Sequence, residues 1–287
     1  MGTSESRVNY GSLNNPVDLQ AGVEIITSGG IVAAQVRGVF GLWGDGNNPN
    51  ALELILRAKN EIGMPNRKFS AMMFSPNIFP LVDKSAIHPD LKYLADDPQL
   101  TDQIVGCLLH LRLPLKPEAV ELLPDELRSE NNGRFIVHNL SPAGHPISGL
   151  IRRLNDAGVA HIALTTLNFS GHPEITNLRE VTNFCAAHVD QRWAIKLVLR
   201  DPNFDPNTHF KGSLTIVDTR TASVYRDGNI LPELASALLS TNLNTEEMIE
   251  KKYSAAPGLS QILAEALERG YKPIFLANLI RKFTQIS

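Results

Sequence analysis

Two cysteines in 287 residues, Cys107 and Cys185, both in apolar surroundings, are too few for a disulfide framework or a zinc cluster, and they fit a reducing cytoplasm. The eight histidines show no His-x-x-x-His or Cys/His spacing, which argues against a histidine-held metal. No apolar run approaches the roughly 18 residues of a membrane span, and the polar start, residues 1–15, has no signal-peptide core, so no membrane partner is expected. A net charge of −3 leaves no global basic field, so any nucleic acid has to meet a local patch. The Gly-x-x-x-x-Gly-Lys-Ser/Thr loop is missing, and nucleotide binding here would not be of the P-loop kind. Internal repeats and low-complexity tracts are missing as well.

What remains is an α/β pattern. With 43% hydrophobic residues, the chain can bury a sizeable core, and its length suits one main domain with an appendage. Residues 1–16 are polar and Gly/Asn-rich and read as a loose arm. Residues 17–230 alternate helical and buried-strand patterns, and 231–287 read as helices only, a helical extension or cap. In the middle part, a helix over 18–27 ends at Ser28-Gly29-Gly30, and a strand over 31–36 precedes Arg37-Gly38-Val39-Phe40-Gly41-Leu42, whose glycines serve unusual dihedrals or a close ligand. A helix spans 50–60, strands span 69–74, 106–113 and 134–137, and 84–103 and 114–133 read as connections. A helix opens at His145-Pro146 and ends by Gly158, and further strands follow over 194–199, 213–217 and 223–226. The extension carries helices over 231–239, 245–252, 259–269 and 273–283.

The stretch from Leu164 to Pro173 is the chemical centre of this pattern. It leaves the apolar run 159–163, a buried strand, and leads into a helix over 174–188. Between them lie hydroxyls at Thr165, Thr166 and Ser170, an amide at Asn168, and Gly171, which lets backbone N–H groups approach a ligand. Such a loop can hold phosphate or carboxylate; it can equally be a turn that only reverses the chain.

Several motifs fall in a recognisable order. Residues 21–45, AGVEIITSGGIVAAQVRGVFGLWGD, contain Val39-Phe40-Gly41-Leu42; Gly144-His145-Pro146 precedes a helix; Thr165-Thr166-Leu167-Asn168-Phe169-Ser170-Gly171 follows a strand. Ser213-Leu214-Thr215-Ile216-Val217-Asp218 and Tyr225-Arg226-Asp227-Gly228 close the series. Over residues 20–230 the chain resembles the YrdC-like threonylcarbamoyl-adenylate synthases, with their Val-Tyr-Gly-Leu, Asp-His-Pro, Thr-Ser-Ala-Asn-x-Ser-Gly, Ser-Thr-x-x-Asp and Leu-Arg-x-Gly segments. The resemblance implies a twisted open α/β sheet around a large concave cavity, and an enzyme joining ATP, bicarbonate and an amino acid or amine into a carbamoyl-adenylate with release of pyrophosphate. ATP with Mg²⁺ and bicarbonate are the implied co-substrates, and tRNA or a downstream transferase the implied partner for the product. It implies catalytic roles for Lys59, Arg67, Thr166 and Asn168, nucleotide contacts from Thr166, Asn168, Ser170, Ser213, Thr215 and Arg226, and acceptor contacts from Val36, Arg37, Phe40 and Lys68.

The departures bear on substrate. Where the family has Lys-Gly-Arg-Pro, this chain reads Lys59-Asn60-Glu61-Ile62-Gly63-Met64-Pro65. The arginine is gone in either alignment, becoming Glu61 when matched from Lys59, with Arg67 or Lys68 as candidates for its space; lysine is not its equivalent. Where the family has Pro-Thr-Asp-Thr, this chain has Gln35-Val36-Arg37-Gly38, losing two hydroxyls, so threonine is a doubtful acceptor. Arg37 either receives a second carboxylate or faces solvent on a turn. Three functions stay open: a carbamoyl-adenylate-forming enzyme with a changed acceptor, a non-catalytic nucleotide- or RNA-binding module, and a structural protein whose helical tail docks on its own core or on a second subunit of a homodimer.

Overall fold

The computed structural model describes residues 8–61, 67–169, 171–187, 195–204, 213–230, 232–241, 243–244 and 277–278. The chain starts with β1 (Asn9–Ser12), α1 (Pro16–Thr27), β2 (Val32–Val36), β3 (Val39–Asp45), α2 (Pro49–Ala58) and β4 (Ser70–Met72). Three helices follow, α3 (Ser75–Ile78), α4 (Tyr93–Asp96) and α5 (Pro98–Val105), then β5 (Leu109–Pro114), β6 (Arg128–Asn131) and β7 (Arg134–Leu140). The rest comprises α6 (Ile147–Asp156), β8 (Ile162–Thr166), α7 (Leu178–Ala186), β9 (Leu197–Arg200), β10 (Thr215–Asp218), β11 (Ser223–Arg226) and α8 (Pro232–Leu238).

All these strands join one twisted, open sheet in the order β1-β9-β2-β3-β8-β4-β7-β5-β10-β11, with β6 pairing the half of β7 that β4 leaves uncovered. Alternation along the strands divides the apolar residues between two faces. In β2, Val32, Ala34 and Val36 join a core closed by α1 and α6, while Ala33 joins the larger core under α2, α5, α7 and α8. Helix ends follow from local chemistry. Asn15 and Asn48 cap α1 and α2 with their side chains, each with proline at the first turn. α1 and α6 end on left-handed Gly29 and Gly158, whose following N–H groups return to Ile25 and Leu154 carbonyls, the Schellman arrangement.

Several expectations change. The start is no loose arm throughout: residues 9–12 pair in parallel with β9, because Gly11 leaves room for Asp18, whose Oδ2 accepts the Ser12 N–H at 2.8 Å. That same carboxylate covers one of the outward amides of this edge strand, which blunts it against strand addition. The glycines of residues 37–42 serve a hairpin: Arg37 (φ 50°) and Gly38 (φ 80°) form the two-residue turn between β2 and β3. The connection 84–103 holds α4 and most of α5, whose apolar spacing is masked by polar residues on their outer sides, and β6 lies inside the other stretch read as a connection, 114–133. α8 packs Leu234, Ala235 and Leu238 into the larger core beside Val217 and Val224, and Tyr93 donates to the Leu239 carbonyl at 2.8 Å. The extension thus begins as part of the sheet's own packing. The helices read over 245–252 and 259–269 lie outside the described residues, as does most of 273–283, of which Ala277 and Asn278 are helical.

Candidate active site

The site begins where α2 ends. Asn60 takes a left-handed conformation (φ 58°), its N–H returns to Arg57 O at 3.0 Å, and the Glu61 N–H reaches Leu56 O at 2.8 Å. This is the same terminator as in α1 and α6, with asparagine in glycine's place, a residue that tolerates left-handed backbone. The sharp turn places Lys59 and Glu61, one residue either side of Asn60, inside the protein: Lys59 is 1% exposed and Glu61 0%.

Lys59 reaches the exit of β8. Its ammonium donates to Thr166 O at 2.8 Å, Asn168 O at 3.0 Å and Asn168 Oδ1 at 2.7 Å, so its three N–H groups have three acceptors. Thr166 Oγ1 donates to the same Oδ1 at 2.8 Å, and Asn168 Nδ2 donates to His172 O at 2.6 Å. Because lysine can only donate, the amide oxygen must face it, and among the described residues one N–H of the Asn168 amide meets no acceptor. The base of the loop is tied to β3: Leu167 N–H bonds Phe40 O at 2.7 Å and Phe40 N–H bonds Ile175 O at 2.9 Å. Phe169 stacks on Phe184 of α7 with centroids 4.7 Å apart. Thr165 and Thr166 are strand residues, and β8 ends three positions later than expected, because pairing with Leu42 and Gly41 carries it onward. Gly41 lets this pairing close: a Cβ there would meet Thr165 O at 3.0 Å.

Carboxylates complete the group. Arg67 grips Glu61 through two bonds, Nε to Oε2 at 2.7 Å and Nη2 to Oε1 at 2.6 Å, and Ser213 donates to Glu174 Oε1 at 2.6 Å. Burial pulls the Lys59 pKa from 10.5 down to about 8; Glu61 opposes that shift, Arg67 adds to it, and Glu174 opposes it. Among the described residues, two cations and two carboxylates thus meet at the loop, and their formal charges cancel. No set of three or more acid, histidine or cysteine ligands is assembled among the described residues.

A second constellation lies under the β2–β3 turn. Arg37 is 4% exposed, and its Nε donates to Cys107 O at 3.2 Å. The solvent-facing reading does not describe it, and an internal acid, Asp201, lies within its field. His145 Nδ1 accepts the Ile147 N–H at 3.1 Å, which leaves Nε2 to carry the proton 3.0 Å from Asp201 Oδ2. Burial alone would raise the Asp201 pKa, but the bond with His145 and the charge of Arg37 prevail and hold it low. The turn, the start of α6 and the end of β9 are therefore fastened together by one buried carboxylate.

No family model matches the chain. Among curated proteins, a segment of 80 residues is 32% identical to RNA-directed RNA polymerase L of Sendai virus (strain Z), and a second match is to the same protein of strain Enders. The match covers 26% of this chain, which spans 4% of the length of these curated relatives, and assigns nothing to the whole. Solved structures match over most of the chain. E. coli YciO superposes with a TM-score of 0.54 at 17% identity, covering 77% of this chain and 95% of YciO. P. abyssi Sua5 complexed with L-threonine does so with a TM-score of 0.57 at 18% identity, over 92% of this chain and 78% of Sua5. This chain has the YrdC/Sua5-like fold. The hypothetical protein smu.1377c from Streptococcus mutans UA159 agrees, with a TM-score of 0.56 at 12% identity over 92% of this chain and 96% of that one.

Within the YrdC/Sua5-like sheet, the residues singled out from sequence separate into groups. Lys59, Thr166 and Asn168 meet directly, while Arg67 bonds Glu61 and Ser213 bonds Glu174, two carboxylates whose charges act on Lys59. Phe40 is buried and contributes its backbone to the loop base. Lys68 turns away to Asp125 O at 2.7 Å, because the adjacent Phe69 N–H is fixed on Glu126 O. Thr215 is buried and donates to Ile230 O. Val36 and Arg37 belong to the hairpin group, and Ser170 lies outside the described residues.

Arg226 belongs to a third group that sequence reading missed. Direct pairing sets His110, Ile216 and Arg226 in one row and His138, Arg112 and Asp218 in the next, all on one face of β7, β5, β10 and β11. Arg112 donates to Asp218 at 2.8 Å and to His138 Nε2 at 3.0 Å, and lies 3.8 Å above the Tyr225 ring. Arg220 grips Asp218 from the other side. Burial, reinforced for His138 by Arg112 and for both by Arg226, pushes His110 and His138 to about 3, so both stay neutral. The available signal was the alternation His110-x-Arg112 inside an otherwise apolar strand, which marks one polar face.

Proposed function

We propose that the chain is an ATP-using enzyme of YrdC/Sua5-like fold that joins ATP, bicarbonate and an amino acid or amine other than threonine into a carbamoyl-adenylate. The observation that carries this reading is the convergence of Lys59 on Thr166 and Asn168 at the exit of β8, with Arg67 alongside. In such a reaction the amine and bicarbonate combine to a carbamate with loss of water, a carbamate oxygen attacks the α-phosphorus, the bond to pyrophosphate breaks, and pyrophosphate leaves with its charge. Fixed cations and amide donors at that position stabilise what leaves. Lys59 keeps Asn168 and the Thr166 carbonyl in place, and the second N–H of the Asn168 amide is the loop's neutral donor for the ligand. Mg²⁺ enters with the triphosphate as its counter-ion.

The P. abyssi Sua5 structure holds L-threonine. Here the corresponding hydroxyl pattern is replaced by a tight turn whose arginine is turned inward onto Cys107 O, which supports an acceptor without threonine's hydroxyl. The product is an activated carbamoyl group for a transferase or tRNA, and with a net charge of −3 any tRNA contact is weak and salt-sensitive. A pyrophosphate-release screen of ATP and bicarbonate with each amino acid tests the proposal; release with an acceptor other than threonine supports it, and fastest release with threonine sinks the acceptor reading. The closure of Glu61 on Arg67 favours a second reading, a nucleotide-binding module without turnover, in which ATP binds and no acceptor elicits pyrophosphate.

A further inference from the structure

Glu61 stands out because it satisfies a cation that the loop group would otherwise present to a ligand. Its carboxylate is 0% exposed, yet its partner Arg67 keeps 42% of its side chain exposed, so the pair sits at a boundary with the carboxylate on the inside and the guanidinium open to solvent. The two-bond grip at 2.6 and 2.7 Å is the geometry by which a guanidinium recognises a phosphate or carboxylate. The same carboxylate acts on Lys59, the cation anchored on Asn168. We propose that Glu61 is a built-in competitor for the anionic ligand of this site: it fills the Arg67 fork in the free protein, and a phosphate-bearing ligand binds by displacing it. The proposal rests on the reading that the Lys59–Asn168 group receives such a ligand.

The geometry makes the consequences specific. A ligand that must first take Arg67 from an internal partner binds with an affinity reduced by the fraction of protein in which the fork is open. Glu61 therefore lowers affinity for every anion, and most for those carrying the most charge, because it also cancels the positive charge that the exposed Arg67 would present to them. It is a specificity-determining residue: it rejects weakly charged anions that cannot compete and admits polyphosphates that can. A purely structural clasp has a different signature. If the pair only fastens the chain on either side, removing the carboxylate loosens the fold and leaves ligand affinity the same or lower.

The test is calorimetric titration of inorganic pyrophosphate, and separately of ATP, into wild type and Glu61→Gln, with melting curves of both. Glutamine keeps the size and one acceptor for Arg67, so the fold is retained; Glu61→Asp, whose shorter carboxylate cannot span to both nitrogens, serves as the second variant. The expected result is pyrophosphate binding at least tenfold tighter in Glu61→Gln than in wild type, with a smaller gain in Glu61→Asp. The gain should exceed that for a singly charged anion such as bicarbonate, and should vanish in the double variant Glu61→Gln/Arg67→Met. Equal or weaker pyrophosphate binding in Glu61→Gln, where wild type does bind ATP, overturns the competitor while leaving the site reading intact. Failure of every variant and of wild type to bind either ligand overturns both.

Discussion

The loop group around Lys59 and the sheet-face group around Arg112 use the same chemistry, cation against carboxylate and amide, but they are built in opposite ways. In the sheet-face group all members but Arg220, which reaches in from the β10–β11 turn, stand on strands, and register alone aligns Arg112 with Asp218 on one side and His138 on the other. In the loop group the members come from a helix end, a strand exit and a loop, and they meet largely through backbone carbonyls. In the first arrangement Arg112 and Asp218 bond each other and are both nearly inaccessible. The second keeps an amide N–H in reserve, an exposed guanidinium and a lysine whose proton is held loosely. Rigid registers stabilise a fold, whereas groups gathered at loop ends can exchange an internal partner for an external one.

That contrast yields predictions that can be broken. The largest concerns Asp218→Ala, which leaves Arg112 and Arg220 without their shared carboxylate in a buried setting and should cost about 3–5 kcal/mol of stability. Urea denaturation checks it, and a loss below about 1 kcal/mol would mean that the sheet-face pair is solvated after all.

Next comes pH. A lysine whose folded pKa lies near 8, below its ordinary 10.5, weakens the fold while charged. The unfolded chain binds more protons between those values, so stability rises with pH across that window and the gain is complete above 10.5. Relative to Lys59→Met, wild type should gain on the order of 3 kcal/mol at most between pH 8 and 10.5. Anion affinity should move the other way, falling above pH 8 as the ammonium loses its proton. Parallel stability curves for the two proteins over that range would show that Lys59 is not buried as a charge.

A smaller effect is expected at Asn168→Ala. Loss of the amide frees Lys59 and Thr166 and removes the reserved donor, and ATP affinity should fall by about 1.5–3 kcal/mol, roughly ten- to a hundred-fold. The sheet should still fold, which melting curves would record. The smallest effect is at Arg57→Ala, an exposed i,i+4 partner of Glu53 one turn before the site, where less than about 0.5 kcal/mol should change. A larger loss there would place α2's outer face within the loop group.

How much of this was readable beforehand depends on how local the cause is. The ends of α1 and α6 were legible because Gly29 and Gly158 announce left-handed turns, and the Leu164 to Pro173 stretch because its hydroxyls, amide and glycine lie within ten residues. The end of α2 was harder, since Asn60 does glycine's work there and the reading ran the helix through it. Residues 9–12 were lost because a short polar strand owes its existence to a distant partner, β9. The Arg112 group was lost for the same reason: Arg112 and Asp218 are separated by 106 positions and only register brings them together. Glu61 was visible as a departure from a motif, yet its grip on Arg67 needs three-dimensional placement to be seen.

The claim on which the rest turns is that the Lys59–Thr166–Asn168 group is where a nucleotide binds. Calorimetric titration of ATP with Mg²⁺ into wild type and Lys59→Met at pH 7 tests it most directly, with denaturation curves to establish that both are folded. The account predicts saturable binding to wild type and at least a tenfold weaker affinity in the folded variant. Equal affinity in the two proteins would contradict it and move the ligand away from the exit of β8.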